Sequence, residues 1–241
     1  MNWLRNIFNV CFLGVLFFLL AFTNVQQDAY PCKGVSITLE NEAASFVTRG
    51  EVLQIINSLI DSIDGLPLNE LPLYEMEKTI EQHALIKAAE VFVLPNGELN
   101  VTVAQKEPLV RVQNAQGKSY YLDIEGKPFP LSRNYTQRLM VANGNIIDSV
   151  DIAVVCKVAK YIYQNEFWKA QIMQLYINDN KEIELIPRVG NHIILLGSEE
   201  EMETKFEKLM LFYQKGVQQT GWNKYSIINL KYKNQLVCVK R

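Results

Sequence analysis

Residues 86–108, IKAAEVFVLPNGELNVTVAQKEP, decide the fold of the first half of the chain. Apolar side chains dominate 89–94, and they alternate with polar ones from Leu99 onward, as in β-strands that bury one face. Between the two stretches lies Pro95-Asn96-Gly97-Glu98, in which Asn-Gly favours the positive φ angles of a two-residue hairpin turn. The stretch therefore predicts an antiparallel hairpin. Four valines are predicted on its covered face, namely Val91, Val93, Val101 and Val103.

The segment ahead of this hairpin predicts one strand and two helices. Apolar residues alternate with Ser and Thr along Val35–Leu39, the period of a half-buried strand. Thr48-Arg49-Gly50-Glu51 matches a capping box, and the helix that follows is predicted to stop at Gly65. Pro72 can open the second helix because its fixed φ suits the first turn. Residues 35–106 therefore predict a module in the order β-α-α-β-β.

Residues 107–241 predict a second module that is richer in strands. Turn clusters rich in Gly, Asn and Asp separate its apolar stretches. The predicted strands are 109–112, 120–123, 172–177, 183–186, 193–196, 225–232 and 236–239. Two helices are predicted, one over 150–163 and one opened by a capping box at Ser198-x-x-Glu201. The predicted fold class is α+β, in which a mixed or antiparallel β-rich domain with two helices follows the first module.

The N-terminal stretch predicts a membrane anchor. Residues 7–25, IFNVCFLGVLFFLLAFTNV, carry no charge. A helix of that length rises ~28 Å, close to the ~30 Å hydrocarbon core of a bilayer. Arg5 lies in the tail 1–6, which the positive-inside rule places in the cytoplasm, and 26–34 then form an exported linker. The alternative is a cleaved signal peptide, but Ala21-Phe22-Thr23 lacks the small final residue of a cleavage site.

Composition limits the classes of function. The chain has 241 residues, 49% of them hydrophobic, and a formal net charge of −2. It can therefore bury a core, and it lacks the basic excess that nucleic-acid binding requires. The two histidines predict no site: His83 is expected to be an exposed cap at a helix end, and His192 is expected to face solvent. With no nucleophile elbow or phosphate-binding glycine loop in the sequence, we expect a protein that is not an enzyme and holds no cofactor.

The cysteines leave one question open. Cys11 lies in the predicted anchor, and Cys156 follows a helical apolar pattern that predicts a core thiol. Cys32 and Cys238 could pair in an oxidising compartment, and the sequence does not decide this.

Four local sequences resemble the FtsQ/DivIB family of bacterial cell-division proteins. Residues 86–91, IKAAEV, resemble the family's V-x-x-A-x-V entry into the second strand, and 105–108, QKEP, resemble its E-R-x-P. Residues 120–126 resemble Y-x-x-D-x-x-G, and 228–232, INLKY, resemble the C-terminal I-D-L-R-Y. The QKEP and YYLD forms are similar to those of the Bacteroidetes branch. The last motif departs from the family pattern at two positions, with Asn229 in place of Asp and Lys231 in place of Arg.

The resemblance implies a POTRA domain for 35–106 and an FtsQ-type β domain for 107–241. It also implies a non-enzymatic, bitopic inner-membrane scaffold at the division septum, which links early and late division proteins and supports septal peptidoglycan synthesis. The implied partners are single-pass proteins similar to FtsB (DivIC) and FtsL, other divisome membrane proteins, and the lipid around the anchor. No nucleic acid, small-molecule substrate or cofactor is implied.

The chain end predicts where a partner would bind. A final strand can leave an open sheet edge that templates another strand, and lysines beside it would select an acidic segment. The predicted partner-binding residues are Leu230, Lys231, Tyr232, Leu236, Val237 and Val239. Tyr232 is expected to anchor the contact, since interface aromatics often dominate binding energy.

Three alternatives stand beside this interpretation. The lysines could serve only to protect the edge from aggregation. The chain could be a POTRA-containing, chaperone-like periplasmic module for envelope protein assembly, although several POTRA copies would then be expected. It could also be a soluble periplasmic enzyme released by signal cleavage.

Overall fold

The chain divides into two compact units, Met1–Gln105 and Lys106–Arg241. The computed structural model describes residues 3, 11–18, 30–41, 45–60 and 62–241. Residues 11–18 are helical, and the rest of the predicted anchor 7–25 lies outside the described residues, as do most of the tail 1–6 and residues 26–29 of the linker. No helix among the described residues is long and apolar enough to cross a membrane.

The first unit has the predicted order of one strand, two helices and a hairpin. Its elements are β1 (Val35–Leu39), α1 (Arg49–Asn57), α2 (Leu73–Glu81), β2 (Ile86–Val93) and β3 (Leu99–Gln105), with a short 3₁₀ turn at Leu68–Glu70. The sheet order is β1-β3-β2, in which β1 runs parallel and β2 antiparallel to β3. Val91 pairs with Val101 and both are buried, as is Val103, while Val93 is half-buried. The predicted covered face of the hairpin is therefore confirmed.

Helix α1 begins as predicted but ends early. Glu51 N donates to Thr48 Oγ1 at 3.2 Å and Thr48 N donates to Glu51 Oε2 at 2.8 Å, which confirms the capping box. The predicted stop at Gly65 is wrong, because α1 ends at Asn57. Ser58 ends it: its hydroxyl donates to the Ile55 carbonyl at 2.6 Å and so satisfies a group that the helix end leaves unpaired.

The hairpin loop contains three residues, 95–97, and the predicted two-residue turn is wrong. Leu94 N donates to Glu98 O at 2.9 Å, and Gly97 N donates to Leu94 O at 2.9 Å. A two-residue loop would pair Pro95 with Glu98 and would need a backbone N–H that proline lacks. Only the glycine therefore adopts a positive φ, at 88°, after a type I turn.

The outer edge of β2 is covered by side chains of α2. Glu81 Oε1 accepts from Ala89 N at 3.2 Å, and Glu77 Oε2 accepts from Val91 N at 3.4 Å. The two carboxylates, one helical turn apart, occupy the places that carbonyl groups of a further strand would take. This edge of the small sheet is thereby protected against strand addition.

Residues 106–241, all of them described, form one nine-stranded mixed sheet with its helices. The elements are β4 (Pro108–Gln113), β5 (Ser119–Asp123), β6 (Pro128–Pro130), β7 (Val141–Gly144), α3 (Ser149–Tyr163), α4 (Glu166–Gln171), β8 (Ile172–Ile177), β9 (Ile183–Pro187), β10 (Ile193–Gly197), α5 (Met202–Leu211), a π-helical turn (Phe212–Gly216), α6 (Val217–Thr220), β11 (Tyr225–Asn229) and β12 (Val237–Lys240). The strand order is β12-β11-β10-β9-β8-β7-β4-β5-β6. Three neighbouring pairs are parallel: β4 with β7, β7 with β8, and β10 with β11. The predicted mixed, β-rich fold is confirmed.

The core of the second unit joins strands to helices through large aromatic side chains. Phe206 of α5 packs against Tyr161 of α3, with ring centroids 4.8 Å apart, and against Trp168 of α4, at 5.0 Å. Cys156 is buried in the same core, as predicted. Cys32 and Cys238, whose pairing the sequence left open, are free thiols and belong to different units.

The second unit has more helices than the two that were predicted. The six residues of α4 are too few to show a helical period, and α6 is shorter still. Asn165 caps α4 by accepting from Phe167 N at 3.1 Å. The predicted capping box at Ser198 is wrong: the Ser198 carbonyl accepts from Lys205 Nζ at 2.8 Å, and α5 begins later, at Met202.

Two short strands of the large sheet were missed, and two predicted strands have other ends. β6 contains two prolines and β7 only four residues, so neither shows a strand pattern. β11 ends at Asn229, and not at Tyr232, because the Asn229 side chain accepts from Lys231 N at 3.0 Å and turns the chain. β12 begins at Val237, one residue after the predicted start.

Candidate functional site

The C-terminal strand forms one margin of the large sheet. β12 pairs with β11 alone, in the antiparallel register Asn229↔Val237, Ile228↔Cys238 and Ile227↔Val239. The side chains of Val237 and Val239 are 37% and 47% exposed. An exposed strand with apolar side chains and an unpaired backbone can accept a further strand.

The register shows which backbone groups of β12 face outward. Arg241 N donates to Lys224 O at 3.2 Å, so the amide of Arg241 points toward β11. Backbone groups alternate along a strand, which turns Val239 and Val237 toward β11 and turns Lys240 and Cys238 away from it. The extra residue in this pairing lies on β11, between Tyr225 and Ile227, and leaves the alternation along β12 unbroken.

The opposite margin of the sheet, β6, offers no such donors. Asp123 N donates to Lys127 O at 3.1 Å, so by the same alternation Phe129 points toward β5 while Pro128 and Pro130 point outward. Proline has no N–H, and at an edge this blocks pairing with another strand. The large sheet therefore has one blocked margin and one receptive margin.

The predicted partner-binding residues fall into two groups. Tyr232 is 49% exposed, Leu236 is half-buried, and both lie with Val237 and Val239 along the connection and strand at this margin. Leu230 is fully buried, and its N–H donates to Leu195 O at 2.9 Å, so it supports the site from inside. Lys231 is exposed, but its ammonium is held in an ion pair, so it too supports the site and is not free to contact a partner.

That ion pair ties the margin to the middle of the sheet. Lys231 Nζ lies 2.9 Å from Glu182 Oε1. Hydrogen bonding to Glu182 raises the pKa of Lys231, and the same bond lowers the pKa of the Glu182 carboxyl. Both side chains are more than a third exposed, so water screens the pair and its contribution to stability is small. Its effect is to orient the chain between β11 and β12.

Lys208 holds the same connection from α5, and sequence reasoning missed it. Its Nζ donates to Tyr232 O at 2.6 Å, with longer contacts to Lys233 O at 3.4 Å and Leu230 O at 3.5 Å. A lysine that points at successive carbonyls of a loop gives no signal in a single sequence, because its partners are backbone atoms. The clamp fixes the backbone on which Tyr232 is displayed.

His192 lies beside the receptive margin, and the prediction that it faces solvent is wrong. Its side chain is 3% exposed, its Nε2 lies 2.9 Å from Tyr213 Oη, and its ring stacks on Trp222 at 6.4 Å. Gly190, with φ at 89°, makes room because a Cβ there would meet the imidazole at 2.7 Å. Burial lowers the pKa of His192, so the ring is a neutral packing group. The prediction that His83 is an exposed cap is also wrong: it follows the end of α2, is half-buried, and its Nδ1 accepts from Leu85 N at 3.4 Å.

The arrangement is suited to binding and does not assemble reactive groups. Among the described residues, no cluster of His, Cys, Asp and Glu could hold a metal ion. The groups that the margin offers are backbone donors, two exposed valines and one exposed tyrosine. Such groups provide affinity through main-chain hydrogen bonds and specificity through alternate side chains.

Family comparisons agree with this architecture. A family model described as FtsQ/DivIB, C-terminal related, matches residues 107–239, which is more than half of the chain. The chain belongs to the FtsQ/DivIB family. A model described as a POTRA-like domain matches residues 30–104. No curated protein matches the sequence.

Family membership gives the chain a role in cell division. FtsQ/DivIB proteins are non-enzymatic division proteins that interact with other division proteins. One motif of the resemblance now has a structural role: Asp123 Oδ1 accepts from Glu125 N at 2.9 Å and from Lys127 N at 2.8 Å, and Gly126 has φ at 81°. This Asp-to-Gly turn joins β5 to the proline-blocked β6.

Proposed function

We propose that this chain is a bitopic inner-membrane scaffold of the division machinery, which links early and late division proteins and supports septal peptidoglycan synthesis. Residues 7–25 would span the inner membrane, with the N-terminus in the cytoplasm, the C-terminus in the periplasm and the protein at the division septum. An FtsB-like segment, held together with an FtsL-like protein, would add to β12 as a tenth strand.

The observation that carries this proposal is the difference between the two margins of the large sheet. Pro128 and Pro130 close the β6 margin, whereas β12 turns the amides of Cys238 and Lys240 outward. The β2 margin of the small sheet is covered by two glutamates of α2. β12 is therefore the receptive margin of the large sheet, and it carries residues that the sequence predicts to bind a partner.

The roles of the side chains follow from their exposure. Val237 and Val239 share one side of the strand and would pack against apolar residues of the added segment. Tyr232 would cover the end of that segment, on a backbone that Lys208 holds in place. Lys233 and Lys240 are exposed and would attract an acidic segment, which raises the association rate more than the affinity.

The sharpest test changes one backbone donor. Lys240→Pro removes the outward amide, and Lys240→Ala removes the same charge but keeps that amide. With the full-length chain in detergent and a synthetic periplasmic segment of the FtsB-like partner, we expect the proline variant to bind at least about tenfold more weakly than the alanine variant. Proline is tolerated where an edge amide faces solvent, so the fold should persist. A proline at Val237 would not serve, because that amide faces β11.

A second test removes the exposed aromatic side chain. Tyr232→Ala should weaken binding by at least about tenfold, since truncated aromatic anchors often cost ~2 kcal/mol or more. Tyr74→Ala is the matched control, because Tyr74 is 74% exposed and lies in the first unit. Equal affinities for the two Lys240 variants, together with an unaffected Tyr232→Ala, would exclude strand addition at β12.

The anchor is tested separately. Arginines in place of Leu16 and Phe17 should cost several kcal/mol of insertion and remove the protein from the membrane fraction. Arginine in place of the exposed Tyr74 is the control for general damage. Unchanged retention of the double variant in sedimented membranes would exclude a spanning helix over 7–25.

A further inference from the structure

The second unit contains a cavity that strand addition does not use. Its volume is about 500 Å³, and it lies where the parallel strands β4, β7 and β8 begin. The loop 136–140 and the last turn of α3 complete its wall. β9, β10 and β11 separate β8 from β12 in the sheet, so the cavity and the receptive margin are distinct places.

The wall of this cavity is strongly cationic. Four cationic side chains line it, namely Arg111, Arg138, Arg188 and Lys169. No Asp or Glu is among its lining residues, all of which belong to the described part of the chain. The whole chain carries a net charge of −2, so four cations without a lining carboxylate form a local concentration of charge. A concave surface of one sign focuses its potential on an oppositely charged ligand.

The three arginines have no anionic partner within the described part of the protein. No ion pair there includes Arg111, Arg138 or Arg188. Lys169 differs, since Glu166 lies 3.7 Å from it and the Tyr163 ring centroid lies 4.3 Å from it. A guanidinium presents its donors as a planar fork that matches a carboxylate, and here three such forks are available.

The floor of the cavity is apolar. It is lined by Leu109, Ile162 and Ile172, which are at most 5% exposed. Met173 also lines it and is 48% exposed. A ligand that fits must therefore bring an aliphatic group for the floor and anionic groups for the rim. The volume lies within the ~300–1,000 Å³ range of pockets that take small ligands or single anchoring side chains.

We propose that this cavity binds an acidic peptide segment in which carboxylates flank one aliphatic side chain. The aliphatic group would replace water over Ile162 and Ile172, and the carboxylates would pair with Arg111, Arg138 and Arg188. The proposal rests on the proposed function only in taking a protein as the source of the segment. It gives the second unit a partner contact that is independent of β12.

The test uses the full-length chain in detergent and a fluorescent peptide of glycine and serine with two glutamates on each side of one leucine. Anisotropy should show binding at about 0.15 M salt, and the triple variant Arg111→Gln, Arg138→Gln, Arg188→Gln should bind at least about tenfold more weakly. The matched control removes the same charge from three exposed lysines of the same unit, Lys118→Gln, Lys127→Gln and Lys215→Gln. We expect the control to stay within about twofold of the wild type.

Three outcomes would overturn the proposal. Equal loss in the two triple variants would assign binding to overall charge. Absence of wild-type binding would exclude an acidic peptide, and tighter binding of inorganic pyrophosphate than of the peptide would identify a phosphate site instead. Binding of a probe with glutamine in place of glutamate should be lost. Lys240→Pro should leave probe binding unchanged, so failure at β12 and failure at the cavity are read separately.

Discussion

Replacing Asp151 with alanine tests how helix α3 is started. The Asp151 carboxylate is 7% exposed and accepts from Ile147 N at 2.8 Å, Asp148 N at 3.3 Å and Lys181 Nζ at 2.6 Å. In return, Asp148 Oδ1 accepts from Asp151 N at 3.0 Å and from Val150 N at 2.9 Å, which completes a capping box. One side chain therefore satisfies two backbone donors and one ammonium.

The magnitude follows from these contacts. Losing half of the capping box costs about 1 kcal/mol of unfolding free energy. Losing the bond from the Ile147 amide to this charged carboxylate costs about 1–2 kcal/mol, because Ile147 is 66% exposed and water partly replaces the carboxylate. The ion pair adds less than about 1 kcal/mol, because the Lys181 side chain is 45% exposed and water screens it. Asp151→Ala should therefore lower the free energy of unfolding by about 2–4 kcal/mol, and Asp151→Asn, which keeps one acceptor, by about half of that.

Guanidinium unfolding followed by tryptophan fluorescence is the assay, since Trp168 and Trp222 both lie in the second unit. Lys181→Met is the control: it removes the ion pair and the exposed bond that Lys181 Nζ donates to Asn145 O at 2.9 Å but keeps the capping box, and it should cost about 1 kcal/mol or less. A cost for Asp151→Ala no larger than that of Lys181→Met would refute the reasoning, since the loss would then be electrostatic only.

The pH dependence gives the same prediction a second test. Burial by itself raises the pKa of Asp151, but the hydrogen bonds from Lys181, Ile147 and Asp148 outweigh it and lower the pKa below its ordinary 3.8. The unfolded chain then binds a proton more readily than the folded chain. The advantage of the wild type over Asp151→Asn should be complete above pH 3.8 and should shrink as the pH falls through the lowered pKa. A constant difference across that range would contradict the lowered pKa.

Three further predictions concern backbone and core. Gly144→Ala should lower the free energy of unfolding by more than about 2 kcal/mol in the same assay, because φ is 96° and a Cβ would collide with the Ile177 carbonyl oxygen. Gly97→Val should cost about 1–3 kcal/mol, measured by thermal unfolding of the first unit, because a β-branched residue resists the φ of 88°. Burial lowers the pKa of His192. The neutral ring therefore stabilises the fold above its ordinary pKa of 6.5, and this contribution is lost as the pH falls through the lowered value. His192→Asn should flatten the dependence of the melting temperature on pH between about 8 and 5, at some cost at neutral pH because Tyr213 loses its ring partner.

Strand patterns predicted most of the fold because a buried face imposes a period of two on the sequence. The hairpin around Pro95, the strands β8, β9 and β10, and helix α3 all lie close to their predicted positions. The predictions that failed concern short elements, or element ends that are determined by side chains bonded to the backbone. Ser58 ends α1 and Asn229 ends β11 through such bonds. Neither residue type alone predicts that role in a single sequence.

The candidate site was predictable only in outline. An exposed final strand follows from the residues near the chain end, and the exposure of Tyr232 and Val239 agrees with it. The blocking of the other margin was not foreseen, because β6 has too few residues to show a pattern. The burial of His192 depends on contacts with Tyr213 and Trp222. Both residues are too far along the chain from His192 for a local sequence pattern to predict these contacts.

The two prolines of β6 also determine how many chains a sheet-mediated assembly can contain. If β12 of one copy could pair with β6 of the next, every addition would expose a fresh β12, and the head-to-tail contact would continue as an open fibre. Pro128 and Pro130 remove the donors that this second contact needs. Within the large sheet, backbone pairing can then join β12 of one copy to β12 of a second copy but not to β6, and this contact, like pairing with a different protein, closes on itself. A partner strand and a homodimer compete for one margin, so recruitment of the partner should titrate to one strand per chain and should dissolve any β12-mediated dimer.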